Sequence, residues 1–221
     1  MPLARLEAVA LDMDGVLIDS EPLHEESLDI LFHELGISVP MSVINGFKGK
    51  TETEVFLDVI GRFGLEEIDP FDLIRRKHDI FGNLIHKLRL VPGVVDFVAF
   101  ARRSGWTVAL TTSAQKASQT RAFDRFRLGG LFAVIVTAED VSLSKPDPQP
   151  YTITAERLKV DPEKCLVVED SVNGVLSAAR AGCTVAGITT TFPAEALSGA
   201  GAHLVVESFE ELTAALHAPS F

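Results

Sequence analysis

Cysteine, tryptophan and tyrosine are almost missing from this chain, at two, one and one residues in 221. Two cysteines cannot build a disulfide framework, and Cys165 and Cys183 both lie in apolar stretches, so they read as reduced and structural. So little Trp and Tyr leaves few rings on which bases could stack. Basic charge is also scarce: 20 Lys and Arg stand against 31 Asp and Glu, a formal net charge of -11. That balance disfavours nucleic-acid backbones and anionic membrane surfaces, which attract a basic face. No uninterrupted apolar run approaches the roughly 18 residues of a membrane span. No charged-then-apolar leader opens the sequence, and no repeat or low-complexity segment interrupts it. A cytoplasmic monomer that binds neither nucleic acid nor membrane is expected.

With 47% hydrophobic residues, the chain can bury a full core, either as one large domain or as a core with an insertion. Short apolar runs at 7–13, 106–112, 131–137, 165–170, 184–189 and 202–206 alternate with helical patterns. Runs of that length, separated by amphipathic helices, indicate βαβ units and a parallel sheet covered on both faces. With right-handed crossovers, the expected class is α/β, a doubly wound, Rossmann-like layer structure. From about residue 20 to 88 the rhythm breaks, and only helical patterns occur. Ser20 is positioned to cap a helix carrying Leu28, Leu31, Phe32 and Leu35, with Gly36 ending it. Thr51 and Glu54 have capping-box spacing, and Asp69-Pro70 opens a third helix. The expected organisation is therefore a core of residues 1–18 and 89–221 with an all-helical cap, 19–88, inserted after the first strand. Such a cap would sit over the carboxyl ends of the strands, where the chain leaves the sheet.

In open parallel sheets, ligands bind outside the carboxyl ends of the strands. The first run ends as "VALDMDGVLID", with Asp12 and Asp14 one residue apart and Gly15 behind them. If the segment stays extended, both aspartates point to one face. An ionised carboxylate on a strand buried on both faces is costly unless a cation or several donors meet it, and a hard divalent ion is the economical answer. The second run ends in Thr111, Thr112 and Ser113, "SKPDP" brings Lys145, and the run at 165–168 ends in Glu169 and Asp170. Each has a plainer reading alone: Asp14-Gly15 as a turn, Thr112-Ser113 and Glu169-Asp170-Ser171 as helix caps, Lys145 as a surface lysine. Together, at matching strand ends, they bring carboxylates, a hydroxyl, backbone N–H donors and one fixed cation to one sheet edge. An acidic protein needs such a locally positive site to hold a phosphate ester.

The sequence resembles the haloacid dehalogenase superfamily, in the helical-cap branch that includes phosphoglycolate phosphatase and β-phosphoglucomutase. "DMDGVLIDSEPLH" matches the first motif, "VALTTSA" the second, "SKPDP" the third and "CLVVEDSVNGVLSAARAGC" the fourth, so the resemblance spans essentially the whole chain. It implies a Mg²⁺-dependent phosphohydrolase acting on a small phosphorylated metabolite through an aspartyl-phosphate. By similarity, Asp12 is the nucleophile and Asp14 the general acid and base, its backbone carbonyl on the metal. Gly15 belongs to the same phosphate-binding motif, while Thr112 and the Ser113 N–H hold the phosphoryl oxygens. Lys145 offsets charge, and Asp170 completes the metal site, with Glu169 binding directly or through water. His24, Lys48 and Lys50 are the resemblance's candidates for substrate contacts from the cap. The alternatives are a β-phosphoglucomutase-type sugar phosphomutase and, from another class, a non-catalytic phosphate-binding regulator. Glu52 stands where the mutases carry a phosphate-binding arginine, which favours hydrolysis.

Overall fold

The computed structural model describes residues 6–47 and 51–217. The chain divides into two compact units, Met1–Asp19 with Arg89–Phe221 and Ser20–Leu88. In chain order, β1 (Ala8–Leu11) and β2 (Ile18–Asp19) are followed by α1 (Glu21–Glu34), α2 (Met41–Asn45), α3 (Glu52–Phe63) and α4 (Pro70–Leu84). The chain then continues through β3 (Arg89–Leu90), α5 (Val94–Arg103), β4 (Thr107–Thr111), α6 (Lys116–Phe126), β5 (Val134–Val136) and α7 (Gln149–Leu158). It closes with β6 (Cys165–Glu169), α8 (Val172–Arg180), β7 (Thr184–Ile188), α9 (Ala194–Gly199), β8 (Leu204–Val206) and α10 (Phe209–His217). No described helix is long and apolar enough to cross a membrane.

Six strands form one parallel sheet in the order β5-β4-β1-β6-β7-β8. Each of the six apolar runs supplies one strand. Val, Ala, Leu and Ile on both faces let helices cover the sheet on both sides, and every residue of β1 and β6 is buried. Because β4 and β6 flank β1, the chain order reverses at the sheet's centre, which is the geometry that places a ligand site at the strands' carboxyl ends. β2 and β3, on either side of the helical unit in sequence, pair antiparallel, with Ile18 opposite Leu90 and Asp19 opposite Arg89.

The sequence and the structure differ at the end of β1. The strand stops at Leu11, so Asp14 is not on its pleat and the shared-face argument for the two aspartates does not apply. Asp12 still donates its N–H to the Val168 carbonyl at 3.1 Å, one step beyond the strand. A tight turn then takes over: Leu17 and Ile18 both donate to the Met13 carbonyl, and Gly15 sits at φ +74°. Few L-residues adopt that conformation, so the glycine is a requirement of the turn.

The helical unit is built as its patterns imply, with one exception. Thr51 and Glu54 form a reciprocal capping box, Asp69 accepts from the Phe71 N–H at 2.9 Å, and Pro70 opens α4. Ser20 stands at the N-cap of α1 but in helical conformation, and its side chain makes no capping hydrogen bond. The core of the unit joins Leu31 and Phe32 from α1, Val55, Phe56 and Val59 from α3, and Leu73 from α4. α2 lacks a sequence signal of its own. Among the described residues, 20–88 contain no strand.

Candidate active site

β1 and β6 are neighbours with Leu11 opposite Val168, so Asp12 and the Glu169-Asp170 pair leave adjacent strands side by side. One carboxylate oxygen each of Asp12, Glu169 and Asp170 lies within 4.8 Å of the others, and all three residues are buried. Lys145 enters this cluster with a side chain only 6% exposed. Its ammonium donates to Asp12 Oδ1 at 2.6 Å, to Glu169 Oε1 at 2.7 Å and to the Thr111 carbonyl at 3.0 Å.

Three carboxylates around one ammonium leave negative charge in excess where water is largely excluded. Burial pushes the Asp12 carboxyl up to about 7; Lys145 opposes this, while Glu169 and Asp14 add to it. Burial also holds the Asp170 carboxyl well above its ordinary range, reinforced by Glu169 and Asp12. For Lys145 burial disfavours the charge, but Asp12 and Glu169 outweigh it and raise the ammonium above its usual pKa.

Glu169 is fixed by protein donors on both oxygens. Oε1 accepts from Lys145 and from the Tyr151 hydroxyl at 2.7 Å. Oε2 accepts from the Ser171 hydroxyl at 3.0 Å and from the Asp170 and Ser171 N–H groups at 3.2 and 3.3 Å. Gly174, in the first turn of α8, makes room for it: a Cβ there would stand 1.9 Å from the Glu169 carboxyl carbon. A Cβ on Gly15 would likewise stand 1.9 Å from Asp170 Oδ2. The Thr190 hydroxyl donates to the Gly15 carbonyl at 2.6 Å. The buried Thr191 hydroxyl lies near enough to Asp170 to lower its carboxyl but lacks hydrogen-bond geometry to any described group. A cluster of hard oxygens, an uncompensated negative charge and an orphaned hydroxyl fit a divalent cation such as Mg²⁺, with Asp12 and Asp170 as the carboxylates placed to hold it. The Asp14 carboxylate is not one of the three clustered groups, though it is close enough to raise Asp12.

At the end of β4, the Thr112 N–H donates to the Val136 carbonyl at 2.9 Å, while Thr112 Oγ1 accepts from the Ala114 N–H at 3.0 Å. That acceptance leaves the hydroxyl hydrogen available to another oxygen. Thr112 and Ser113 line a cavity of about 190 Å³ with Ser142 and Ser144.

His24, the candidate in the helical unit, packs in a polar network with residues distant in sequence. Lys77 Nζ lies 2.9 Å from His24 Nδ1 and 2.7 Å from Glu52 Oε1, and His78 Nε2 lies 2.7 Å from Glu52 Oε2. Lys48 and Lys50 lie outside the described residues. The sequence reading missed Tyr151, Gly174, Thr190, Thr191 and Lys77. Only Gly174 left a signal, as a glycine in the first turn of a helix, where alanine is the better helix former.

The sequence profile of the haloacid dehalogenase-like hydrolases matches residues 6–182. Validoxylamine A 7'-phosphate phosphatase of Streptomyces hygroscopicus subsp. limoneus is 30% identical over 189 residues, 86% of this chain and 88% of its own length. Hexitol phosphatase A of Escherichia coli (strain K12) is 31% identical over 213 residues, 95% of this chain and 94% of its own. Among solved structures, a candidate beta-phosphoglucomutase from Thermotoga maritima matches with a TM-score of 0.82 at 31% identity, over 96% of this chain and 98% of that one.

Two consequences are measurable. Gly174→Ala in an ordinary helix would stabilise by about 0.5–1 kcal/mol. Here the added Cβ collides with the Glu169 carboxylate, so the melting temperature should fall, and an equal or higher value would contradict the packing described. The second concerns acid. Burial, then Lys77, depresses the His24 pKa from 6.5 to about 3. Below its unfolded value the unfolded chain therefore binds a proton that the folded chain refuses, and stability drops as pH falls. Glu52, held at about 2 because the His78 and Lys77 contacts outweigh burial, adds a loss of the same sign below its ordinary value of 4.5. Between pH 6.5 and 4.5 His24→Gln should flatten the slope of melting temperature against pH relative to the wild type; a slope unchanged by the substitution would refute the buried neutral imidazole.

Proposed function

Because the chain belongs to the haloacid dehalogenase-like hydrolase family, we propose that it hydrolyses small phosphate monoesters, sugar phosphates and related metabolites among them, with Mg²⁺ as cofactor. The observation that carries this reading is Lys145 bridging Asp12 and Glu169 beside Asp170, with the Thr112 hydroxyl hydrogen uncommitted at the next strand end. The relatives named as a validoxylamine A 7'-phosphate phosphatase and a hexitol phosphatase support the substrate class.

Phosphoryl transfer depends chiefly on positioning and on stabilising charge, and each residue has one part in it. Lys145 holds Asp12 Oδ1, which leaves Oδ2 to attack phosphorus. As the new oxygen–phosphorus bond forms, the ester bond to the leaving alcohol breaks, and Asp14 delivers the proton that the alkoxide needs. The Thr112 hydroxyl and the Ser113 N–H hold the phosphoryl oxygens, and Gly15 lets the backbone turn beneath them. Asp14 then takes a proton from water as that water attacks phosphorus, and the bond to Asp12 breaks to release phosphate. Asp12, the Asp14 carbonyl and Asp170, with Glu169 directly or through water, would hold Mg²⁺, which when bound neutralises charge on the phosphoryl oxygens. Glu169 also fixes Lys145 through their 2.7 Å contact. The helical unit acts as a cap that selects the substrate, with His24, Lys48 and Lys50 as its contributors.

A sugar phosphomutase is the second reading, favoured by the likeness to the candidate beta-phosphoglucomutase. It requires a cationic site for a second phosphate. By the resemblance Glu52 stands in place of the arginine that would serve it, and its pairing with Lys77 supports hydrolysis.

Asp12→Asn should keep the fold and lose at least about 10³-fold in turnover, roughly 4 kcal/mol of transition-state stabilisation. Phosphate release within tenfold of wild type would exclude Asp12 as nucleophile. Chelation should abolish activity and Mg²⁺ restore it. By mass action Mg²⁺ should also raise the melting temperature of the wild type and not of Asp170→Asn. A melting temperature indifferent to Mg²⁺ would count against the metal site independently of turnover.

A further inference from the structure

The stretch that leads into Lys145 is not held by burial. Ser142, Leu143 and Ser144 are all exposed, Leu143 to 56%. Upstream the chain is fastened where the Thr137 N–H and hydroxyl donate to Asp140, which also accepts from Arg157 at 2.7 Å. Downstream it is fastened by α7, which begins at Gln149. A lysine side chain has many rotamers and is costly to fix. Its ammonium therefore reaches Asp12 and Glu169 in one geometry only if the backbone that bears it starts from one place.

Hydrogen bonds supply what burial does not. Gln149 Oε1 accepts from the Ser142 and Leu143 N–H groups, both at 2.7 Å. Among the described residues, neither N–H meets a backbone carbonyl. Gln149 is itself fixed at the start of α7, where its own N–H donates to Asp147 Oδ1 at 2.9 Å. On the other side of Lys145, α8 holds the carbonyls. Arg180 donates to the Pro146 carbonyl at 2.9 Å, and the buried Ser177 hydroxyl donates to the Asp147 carbonyl at 2.6 Å. Lys145 thus lies between a clamp on the N–H groups before it and a clamp on the carbonyls after it. The same stretch brings Ser142 and Ser144 to the cavity beside Thr112 and Ser113.

We propose that Gln149 is a positioning residue for Lys145: its side-chain carbonyl sets the course of residues 142–144 and thereby the place of the ammonium between Asp12 and Glu169. Two converging N–H groups use both lone pairs of that one oxygen. A carboxylate oxygen can take the same pair, whereas a thioether accepts only weakly. The consequence for turnover rests on the phosphatase reading, and the consequence for the backbone does not.

Two measurements on the full chain test this. In the first, amide hydrogen exchange and the Lys145 ammonium resonance are followed by NMR. In the wild type the Ser142 and Leu143 amides, although in an exposed stretch, should exchange at least about tenfold more slowly than in an unstructured peptide. Gln149→Met, close in size, should lose that protection and shift the Lys145 resonance, while Gln149→Glu should keep the protection and return the resonance toward its wild-type position. Should Gln149→Met fail to fold, Gln149→Ala takes its place. Wild-type amides that exchange at the peptide rate, or a Lys145 resonance unmoved by loss of the acceptor, overturn the proposal whether or not the protein releases phosphate. In the second, kcat and KM are measured with a hexitol monophosphate. Gln149→Met should lower kcat by about tenfold or more while changing KM by less than about threefold, and Gln149→Glu should restore most of the loss. A rise in KM alone, or equal losses in the Met and Glu variants, overturns the positioning role and leaves the phosphatase reading standing. If the wild type releases no phosphate from any ester, that reading falls and the resonances decide the proposal by themselves.

Discussion

Lys145 sits among Asp12, Glu169 and Asp170, and the need to keep one buried ammonium among three buried carboxylates governs the geometry around it. Taking such charges out of water is expensive, and losing one partner of a buried pair costs about 3–5 kcal/mol. The arrangement therefore depends on the protein partners that surround Glu169 and Lys145. Glu169 accepts from Lys145, Tyr151, Ser171 and two backbone N–H groups, and Lys145 spends its third hydrogen on the Thr111 carbonyl. The remaining negative charge, expressed as raised Asp12 and Asp170 carboxyls, is what the fold leaves for a cation and for the chemistry.

Meeting that constraint sets conditions on distant parts of the chain. Parallel pairing of β1 with β6 aligns the two acidic segments, and β4 on the other side of β1 supplies Thr111 and Thr112. Two glycines clear the space: Gly15 under Asp170 and Gly174 under Glu169, each where a methyl group would collide with a carboxylate. Thr190 then ties the Gly15 turn to the loop after β7. The helical unit settles its own charges differently, pairing the buried Lys77 with Glu52 and a neutral imidazole.

Much of this was legible in the sequence because it is local. Apolar runs marked all six strands of the parallel sheet, the Thr51–Glu54 spacing marked a capping box, and the polar residues at strand ends, with the lysine of "SKPDP", pointed to Asp12, Thr112, Lys145, Glu169 and Asp170. What was not legible depends on contacts between residues far apart. The turn at Gly15 ended β1 earlier than its apolar pattern suggests, and Ser20 took a helical conformation that prevents capping. Tyr151 reads as an ordinary helix residue until α7 brings it to Glu169, and Lys77 in "RRKHD" looks like one more surface charge until Glu52 and His24 enclose it.

The central claim is that Asp12, with one oxygen held by Lys145, accepts the phosphoryl group before water does. The most direct measurement is a single turnover with a reactive phosphoryl donor, quenched in acid and digested, with mass spectrometry of the peptide that contains Asp12. The account predicts a phosphoryl group on Asp12 that forms and decays at the rate of phosphate release. Phosphate appearing at full rate with Asp12 never modified would contradict it.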